Sequence, residues 1–316
     1  MVQDQTWAER LQKAASPEEA ARLIRTMEVR GAAKIGRSAA LSLARVAESA
    51  SDDDARKRLS AAGRTLVAAR PTAVSLRNAV NLTLDGLPED DARLRAAVVG
   101  RARRYVEASE AARDRIAERM SEEIPDGGTV LTHCHSSLAV ACLVATHRSG
   151  KKIRVFADET RPWWQGHITT RLLAEAGVDV TLIVDSAAHL ILEMEEVDVV
   201  VTGADTVTAD GALYNKVGTR AVALGAKSLD IPFLVAAESH KFSPYSLDGT
   251  YPQIEERDPA EVLSGVEIPG VQVRNPVFDR TAPALVSRFI TEEGPVAPAD
   301  TERFIRERFG TREGWI

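Results

Sequence analysis

The chain has 316 residues, 44% of them hydrophobic, which is enough for one large or two modest domains with a true interior. Its net charge of -6 argues against general nucleic-acid binding, which usually shows as a basic patch or stripe. The first part of the chain reads as helices. Ser16-Pro17-Glu18-Glu19 is a helix start, with Ser as N-cap, Pro in the first turn and Glu at the third helical position. Ala20, Leu23, Ile24 and Met27 follow at helical spacing, and Leu41, Leu43 and Val46 continue a second helix that ends near Ser51-Asp52-Asp53-Asp54. Pro71 breaks the pattern, and Pro88-Glu89-Asp90-Asp91 opens a long Arg-rich amphipathic helix running to about Met120.

Pro125-Asp126-Gly127-Gly128 marks the expected boundary between a helical domain, 1–125, and a second domain, 126–316. After it, strand-length apolar runs at 129–134, 153–158, 178–184, 197–202 and 233–237 are separated by helical stretches at 137–147, 165–175, 187–194 and 218–228. This alternation predicts an α/β domain with a mostly parallel sheet covered by helices. Ligands of such sheets bind beyond the carboxyl ends of the strands. The residues placed there are Cys134, Asp158-Glu159, Asp185, Asp205 and Glu238.

Cys134 and Cys142 are the two cysteines. Eight helical residues at about 1.5 Å each hold them some 12 Å apart, too far to bridge, and two free thiols point to a reducing compartment. The N-terminus has no basic start and no apolar core of a secretory signal, and the longest helix-like apolar run, 138–145, falls well short of a membrane span. We therefore expect a cytoplasmic protein with no membrane and no nucleic-acid partner.

Cys134 sits between a strand end and the Ser136-Ser137 cap of the next helix. The positive end of that helix is expected to lower its pKa, making it a base or nucleophile, against the alternative of a buried structural thiol. Cys142, inside an apolar helix, takes the structural reading. His133 and His135 flank Cys134 and, on a strand, share the face opposite to it. Their spacing could serve zinc, but with no third His nearby and no Cys pair, packing or a supporting hydrogen bond is preferred over a metal site. Asp205 follows the apolar stretch 197–204, where partial desolvation favours a proton-holding carboxyl, against an Asx turn or helix cap. Asn215-Lys216 follow closely as anion donors. Residues 30–37, Arg-Gly-Ala-Ala-Lys-Ile-Gly-Arg, could cradle a phosphate or simply form a small-residue helix contact; they match neither a P-loop nor a dinucleotide fingerprint. Arg70-Pro71-Thr72 and Lys241-Phe242-Ser243 are further basic candidates, and Trp163-Trp164 could line a pocket or a subunit contact.

The ordered set Arg30-Gly31-Ala32, Arg70-Pro71-Thr72-Ala73-Val74, Thr132-His133-Cys134-His135-Ser136, Asp158-Glu159-Thr160-Arg161-Pro162, Gly203-Ala204-Asp205 and Asn215-Lys216-Val217-Gly218-Thr219 resembles the aldose-ketose isomerases of the translation initiation factor 2B-like superfamily. Within it, the ribose-1,5-bisphosphate isomerases fit best. Methylthioribose-1-phosphate isomerases typically carry Asn-Ala-Gly where this chain has His135-Ser136-Ser137, and non-catalytic regulatory members generally lack the Cys and Asp pair. Ala33 is a departure, standing where the bisphosphate enzymes often have Gly. The resemblance implies a helical domain followed by a Rossmann-like domain. It further implies an aldose-ketose isomerase that turns ribose 1,5-bisphosphate into ribulose 1,5-bisphosphate in AMP and nucleoside degradation. Cys134 would take the C2 proton and Asp205 would handle protons at the oxygens, with a hydride shift as the competing route. The implied ligand shell is Arg30, Gly31, Ala32, Ala33, Arg70, Ser136, Ser137, Asn215, Lys216 and Lys241. No metal or organic cofactor is implied; AMP is an implied activator, and the implied assembly is a homodimer or a hexamer built as a trimer of dimers. A non-catalytic binder and a thiol- or metal-dependent hydrolase are the alternatives from other classes.

Overall fold

A computed structural model describes residues 16–29, 31–51, 54–310 and 315. These fall into two compact units: a helical one up to Ala111, joined by the residues from Phe309 on, and an α/β one spanning Ala112–Arg308.

In the helical unit, α1 (Pro17–Arg25) starts where the sequence signals it, with the Ser16 hydroxyl accepting the Glu19 N–H at 3.3 Å. It is followed by α2 (Ala32–Ser49), α3 (Ala55–Ala69), α4 (Val74–Leu84) and the first part of α5 (Asp91–Glu123). Their apolar faces meet in a core of Ile24, Ile35, Leu43, Leu59, Leu66, Leu76 and Leu94.

The α/β unit is built on a seven-stranded sheet. Its strands in chain order are β1 (Thr129–Thr132), β2 (Arg154–Asp158), β3 (Asp179–Ile183), β4 (Val199–Gly203), β7 (Phe233–Ala236), β9 (Arg288–Thr291) and β10 (Gly294–Val296), with β5 (Thr206–Val207), β6 (Leu213–Lys216) and β8 (Phe278–Thr281) forming a separate antiparallel sheet. The large sheet runs β10-β9-β7-β4-β1-β2-β3 and is parallel except where β10 joins β9. Every residue of β1, β4 and β7 is buried, which is why these strands read as unbroken apolar runs. The connecting helices are α6 (Ser137–Arg148), α7 (Gln165–Glu175), α8 (Ala188–Met194) and α9 (Thr219–Ser228), with α10 (Ala260–Leu263) and α11 (Thr301–Phe309) later in the chain. Met120 and Ile116, from the end of α5, pack into this unit's core with Val130, Leu143, Val155 and Val201. Among the described residues no helix is long and apolar enough to cross a membrane.

The strand order reverses at one place. From β1 the chain moves outward through β2 to β3, then returns to β4 on the other side and continues through β7 to β9. The carboxyl ends of the neighbours β1 and β4 therefore flank the switch point, where open α/β sheets bind ligands. The next strand end is tightly built. A Cβ on Gly166, in the first turn of α7, would lie 1.7 Å from the Asp158 carbonyl oxygen at the end of β2. Gly166→Ala should push α7 off that edge and cost about 1–3 kcal/mol, read as a lowered Tm in thermal unfolding.

Candidate active site

At the carboxyl ends of β1 and β2 lies a buried ion pair. Thr132 pairs with Ala157, so the next residues along, His133 and Asp158, come opposite each other. His133 is 3% exposed and Asp158 1%. His133 Nδ1 lies 2.6 Å from Asp158 Oδ2, and Nε2 lies 3.1 Å from the Val217 carbonyl oxygen. Both partners are acceptors, so both ring nitrogens donate and the ring is an imidazolium. Burial opposes that charge, but the hydrogen bond and charge of Asp158, with Asp185 and Asp279 nearby, outweigh it and raise the His133 pKa above its ordinary value. Gly218, at φ 106°, faces the ring, and a Cβ there would come within 2.8 Å of Cε1.

His133, Asp158 and Asp185 have potential metal-ligating atoms within 4.8 Å of one another. Those atoms are already engaged. Asp158 Oδ1 accepts the Thr160 hydroxyl at 2.9 Å, and Asp185 accepts the Thr160 and Arg161 amides at 2.6 and 2.7 Å. The donor set is closed on itself by hydrogen bonds, a poor fit to a cation.

The expected strand through Cys134 stops at Thr132, and Cys134 has φ 69°, in the left-handed region. The alternation that would put both histidines opposite the thiol is therefore broken. His133 turns into its ion pair, while His135 Nδ1 meets Thr169 Oγ1 at 3.1 Å. A second expectation also reverses. The Cys134 pKa is not lowered: burial of the thiol pushes it up to about 12, against a favourable pull from Lys216 and the His135 amide, with Asp205 and Asp158 adding to the rise. The reason is local. Helix α6 begins only at Ser137, and the Ser136 hydroxyl, not the thiol, takes its free amide, accepting Ala139 N–H at 3.2 Å. Cys142 is buried inside α6, where burial raises its thiol too, and it keeps its structural reading.

Asp205 lies between β4 and β5, half-buried, with its amide donating to the Tyr214 carbonyl at 3.1 Å. Gly203, just before it, lets this turn close on the α6 cap, since a Cβ there would fall 2.3 Å from Ser136 Oγ. The β5–β6 pairing then folds Asn215 and Lys216 back beside Asp205. Asn215 is buried and donates to Thr219 Oγ1 at 3.0 Å; Lys216 is half-buried, its ammonium 5.5 Å from the Phe278 ring centre. The charges of Asp205 and Lys216 both act on the Cys134 thiol, so each lies within electrostatic reach of it. The amino end of α9 is already filled, its Gly218 and Arg220 amides donating to the Asp279 carboxylate at 2.8 and 3.1 Å. Ser136 is half-buried and Ser137 exposed at the start of α6.

Lys241 follows β7 on the same sheet edge, buried, with its ammonium 3.0 Å from Glu238 Oε2. Burial pushes the Glu238 carboxyl up, but Lys241 and His240 overcome it and hold the group at about 2, below its ordinary 4.5. A depressed carboxyl contributes stability that is fully present above 4.5 and is lost as pH falls toward 2. Glu238→Gln should therefore lose less stability than the parent across that window, read by urea unfolding at stepped pH.

The remaining expected site residues belong to the helical unit. Arg30 lies outside the described residues. Gly31, at φ 93°, precedes α2, and Ala32 and Ala33 are its first residues, in a first turn without acidic side chains. That amino end suits an anion, and Gly31 supplies the left-handed turn into it. Arg70 is half-buried at the end of α3. Trp163 and Trp164 are each stacked on an arginine, Arg257 at 4.4 Å and Arg161 at 4.6 Å from the ring centres. Sequence reasoning passed over Thr160 and Thr169 as individual actors. Only the ordered Asp158–Pro162 motif pointed near the first of them.

Comparison with known proteins identifies the family over most of the chain. The initiation factor 2 subunit family matches residues 28–298. A protein from Archaeoglobus fulgidus named ribose 1,5-bisphosphate isomerase is 48% identical over 92% of this chain and 93% of its own length. One of the same name from Methanocaldococcus jannaschii is 42% identical over 92% of this chain and 94% of its own. The crystal structure of 5-methylthioribose 1-phosphate isomerase from Pyrococcus horikoshii superposes with a TM-score of 0.77 at 31% identity, covering 93% of this chain and 88% of that one. The shared fold is that of a helical region with a mostly parallel sheet, and on this extent of likeness the chain belongs to the initiation factor 2 subunit family.

Proposed function

We propose that this chain is an aldose-ketose isomerase that converts ribose 1,5-bisphosphate to ribulose 1,5-bisphosphate. The reading is supported by the names of its full-length relatives. The observation that carries it in this chain is the close approach of the two strand ends at the switch point, where Gly203 packs on Ser136 and both Lys216 and Asp205 lie within electrostatic reach of the Cys134 thiol. Carbon 1 of the substrate is locked in a phosphoacetal, so the ring must open before a proton can leave C2. That needs an acid at the ring oxygen and a base at C2. Asp205 is assigned the protons at oxygen, and Cys134 the C2 proton. The resting thiol is neutral, so its thiolate forms within the complex, where Lys216 is the cation that favours it.

The rest of the assigned ligand shell is Arg30, Gly31, Ala32, Ala33, Arg70, Ser136, Ser137, Asn215 and Lys241. Two phosphates need many donors, and amide-rich helix starts with Arg and Lys supply them. The catalytic pair is assigned to the α/β part of the chain, 126–316. Breakdown of AMP and nucleosides, activation by AMP, a homodimer or a hexamer of dimers, and a cytoplasmic location belong to the same reading. The free state of both thiols agrees with that location.

A second reading, methylthioribose-1-phosphate isomerase, is favoured by the 31% identical neighbour of that name. Steady-state kinetics on both sugars separates them. A kcat/KM higher for ribose 1,5-bisphosphate by about 100-fold or more is expected, since a site built for a second phosphate leaves buried donors unpaired without it. The reverse order would favour the second reading.

A further inference from the structure

Resting on that reading of Cys134 as the base, we propose that Thr160 and Thr169 are positioning residues that clamp the left-handed backbone of Cys134 and so aim its thiol. A non-glycine residue at φ 69° is uncommon, and it persists only where its surroundings over-determine it. Here both peptide groups of Cys134 are held by threonine hydroxyls, Thr160 in the loop after β2 and Thr169 in α7. Its N–H donates to Thr160 Oγ1 at 3.0 Å, and its carbonyl accepts from Thr169 Oγ1 at 3.0 Å.

The donor and acceptor count closes at both ends. Thr160 gives its single hydroxyl proton to Asp158 Oδ1 at 2.9 Å, leaving a lone pair for Cys134 N–H. Asp158 holds the His133 imidazolium through its other oxygen, and the Thr160 amide is bound by Asp185 at 2.6 Å. Thr169 gives its proton to Cys134 and accepts from His135 Nδ1–H at 3.1 Å, which fixes that ring's tautomer. Its neighbour in α7 shows that this is a departure. Thr170 makes the ordinary bond back to the carbonyl four residues earlier, Gly166, at 2.9 Å, whereas Thr169 reaches across to Cys134. Both threonines are buried, at 0% and 1% exposure, so neither hydroxyl has water as a substitute partner.

Loss of either hydroxyl frees the backbone to leave φ 69° and swings the Cα–Cβ bond away from its aim. The charged groups acting on the thiol, namely Lys216 on β6, Asp205 after β4 and Asp158 on β2, would then meet it at other distances. The test compares Thr160→Val, Thr160→Ser, Thr169→Val and Thr169→Ser. One readout is kcat and KM on ribose 1,5-bisphosphate. The other is the pH profile of Cys134 alkylation by iodoacetamide, followed at that residue by mass spectrometry.

Each Val variant is expected to lose about 10- to 100-fold in kcat with KM little changed, the scale of a misaimed group, and to shift the alkylation profile. Each Ser variant should restore both. Folded Val variants with the parent's kcat and alkylation profile would overturn the clamp, as would Ser variants as impaired as Val. Thr160 also ties into the buried charges, so Thr169→Val decides the matter if Thr160→Val does not fold. A parent protein that does not turn over ribose 1,5-bisphosphate would sink the substrate reading, while the alkylation profiles still decide the clamp.

Discussion

Cys134→Ser is expected to fold like the parent and to lose isomerisation of ribose 1,5-bisphosphate by about 100- to 10,000-fold, the usual contribution of a positioned acid or base. Serine keeps the size of the side chain and its backbone bonds to Thr160 and Thr169. What it removes is a group able to shed its proton. Burial already pushes the thiol up to about 12, and a serine hydroxyl, a far weaker acid than a thiol, would be harder still to ionise there. Asp205→Asn should bring a comparable loss by removing the carboxyl while preserving its amide contact with Tyr214. Because two groups acting as a unit are not additive, the double variant should be little worse than either single one. Single-turnover rates beside thermal melts check all three. An active Cys134→Ser protein would overturn the role given to the thiol.

Asp158→Asn is expected to cost the largest share of stability of any single change in the α/β unit, about 3–5 kcal/mol, the range for breaking one side of a buried ion pair. The variant leaves the His133 ring facing the Val217 carbonyl without its hydrogen-bonded carboxylate, with only the more distant Asp185 and Asp279 to balance its charge. The pair also gives the parent a pH signature. The His133 pKa in the folded protein lies above its ordinary 6.5. Its stabilisation is therefore fully present below pH 6.5 and fades as pH rises through the folded value. Asp158→Asn should flatten that alkaline decline. Urea unfolding of parent and variant from pH 6 upward measures both effects, and parallel curves would show that the imidazolium is not held by Asp158.

Much of this was legible in the sequence for identifiable reasons. The strands β1, β4 and β7 are wholly buried and β2 is buried after Arg154, so their apolar runs stand out. A parallel sheet then places Cys134, Asp158, Asp205 and Glu238 on one edge without further information. The small sheet escaped notice because β5 has two residues and β8 reads Phe-Asp-Arg-Thr, too short or too polar to carry a period. The His133–Asp158 pair depends on the register of β1 against β2, which nothing local encodes.

The conformation and acidity of Cys134 were also hidden. His-Cys-His reads as a continuing strand, and only the threonine contacts from 26 and 35 residues away show why it turns left-handed. Lys216 and the His135 amide do pull the thiol pKa down, but burial outweighs them, and the free amide of Ala139 goes to the Ser136 hydroxyl. Gly203 and Gly218 mattered through what a Cβ would strike, Ser136 and His133, and those neighbours are distant in sequence.

The central claim is tested most directly by phosphorus and proton NMR of the purified protein with α-ribose 1,5-bisphosphate. The account predicts loss of the substrate's anomeric phosphate signal, appearance of ribulose 1,5-bisphosphate with both phosphates retained, and no inorganic phosphate. An unchanged spectrum from folded protein, or release of inorganic phosphate, would contradict it.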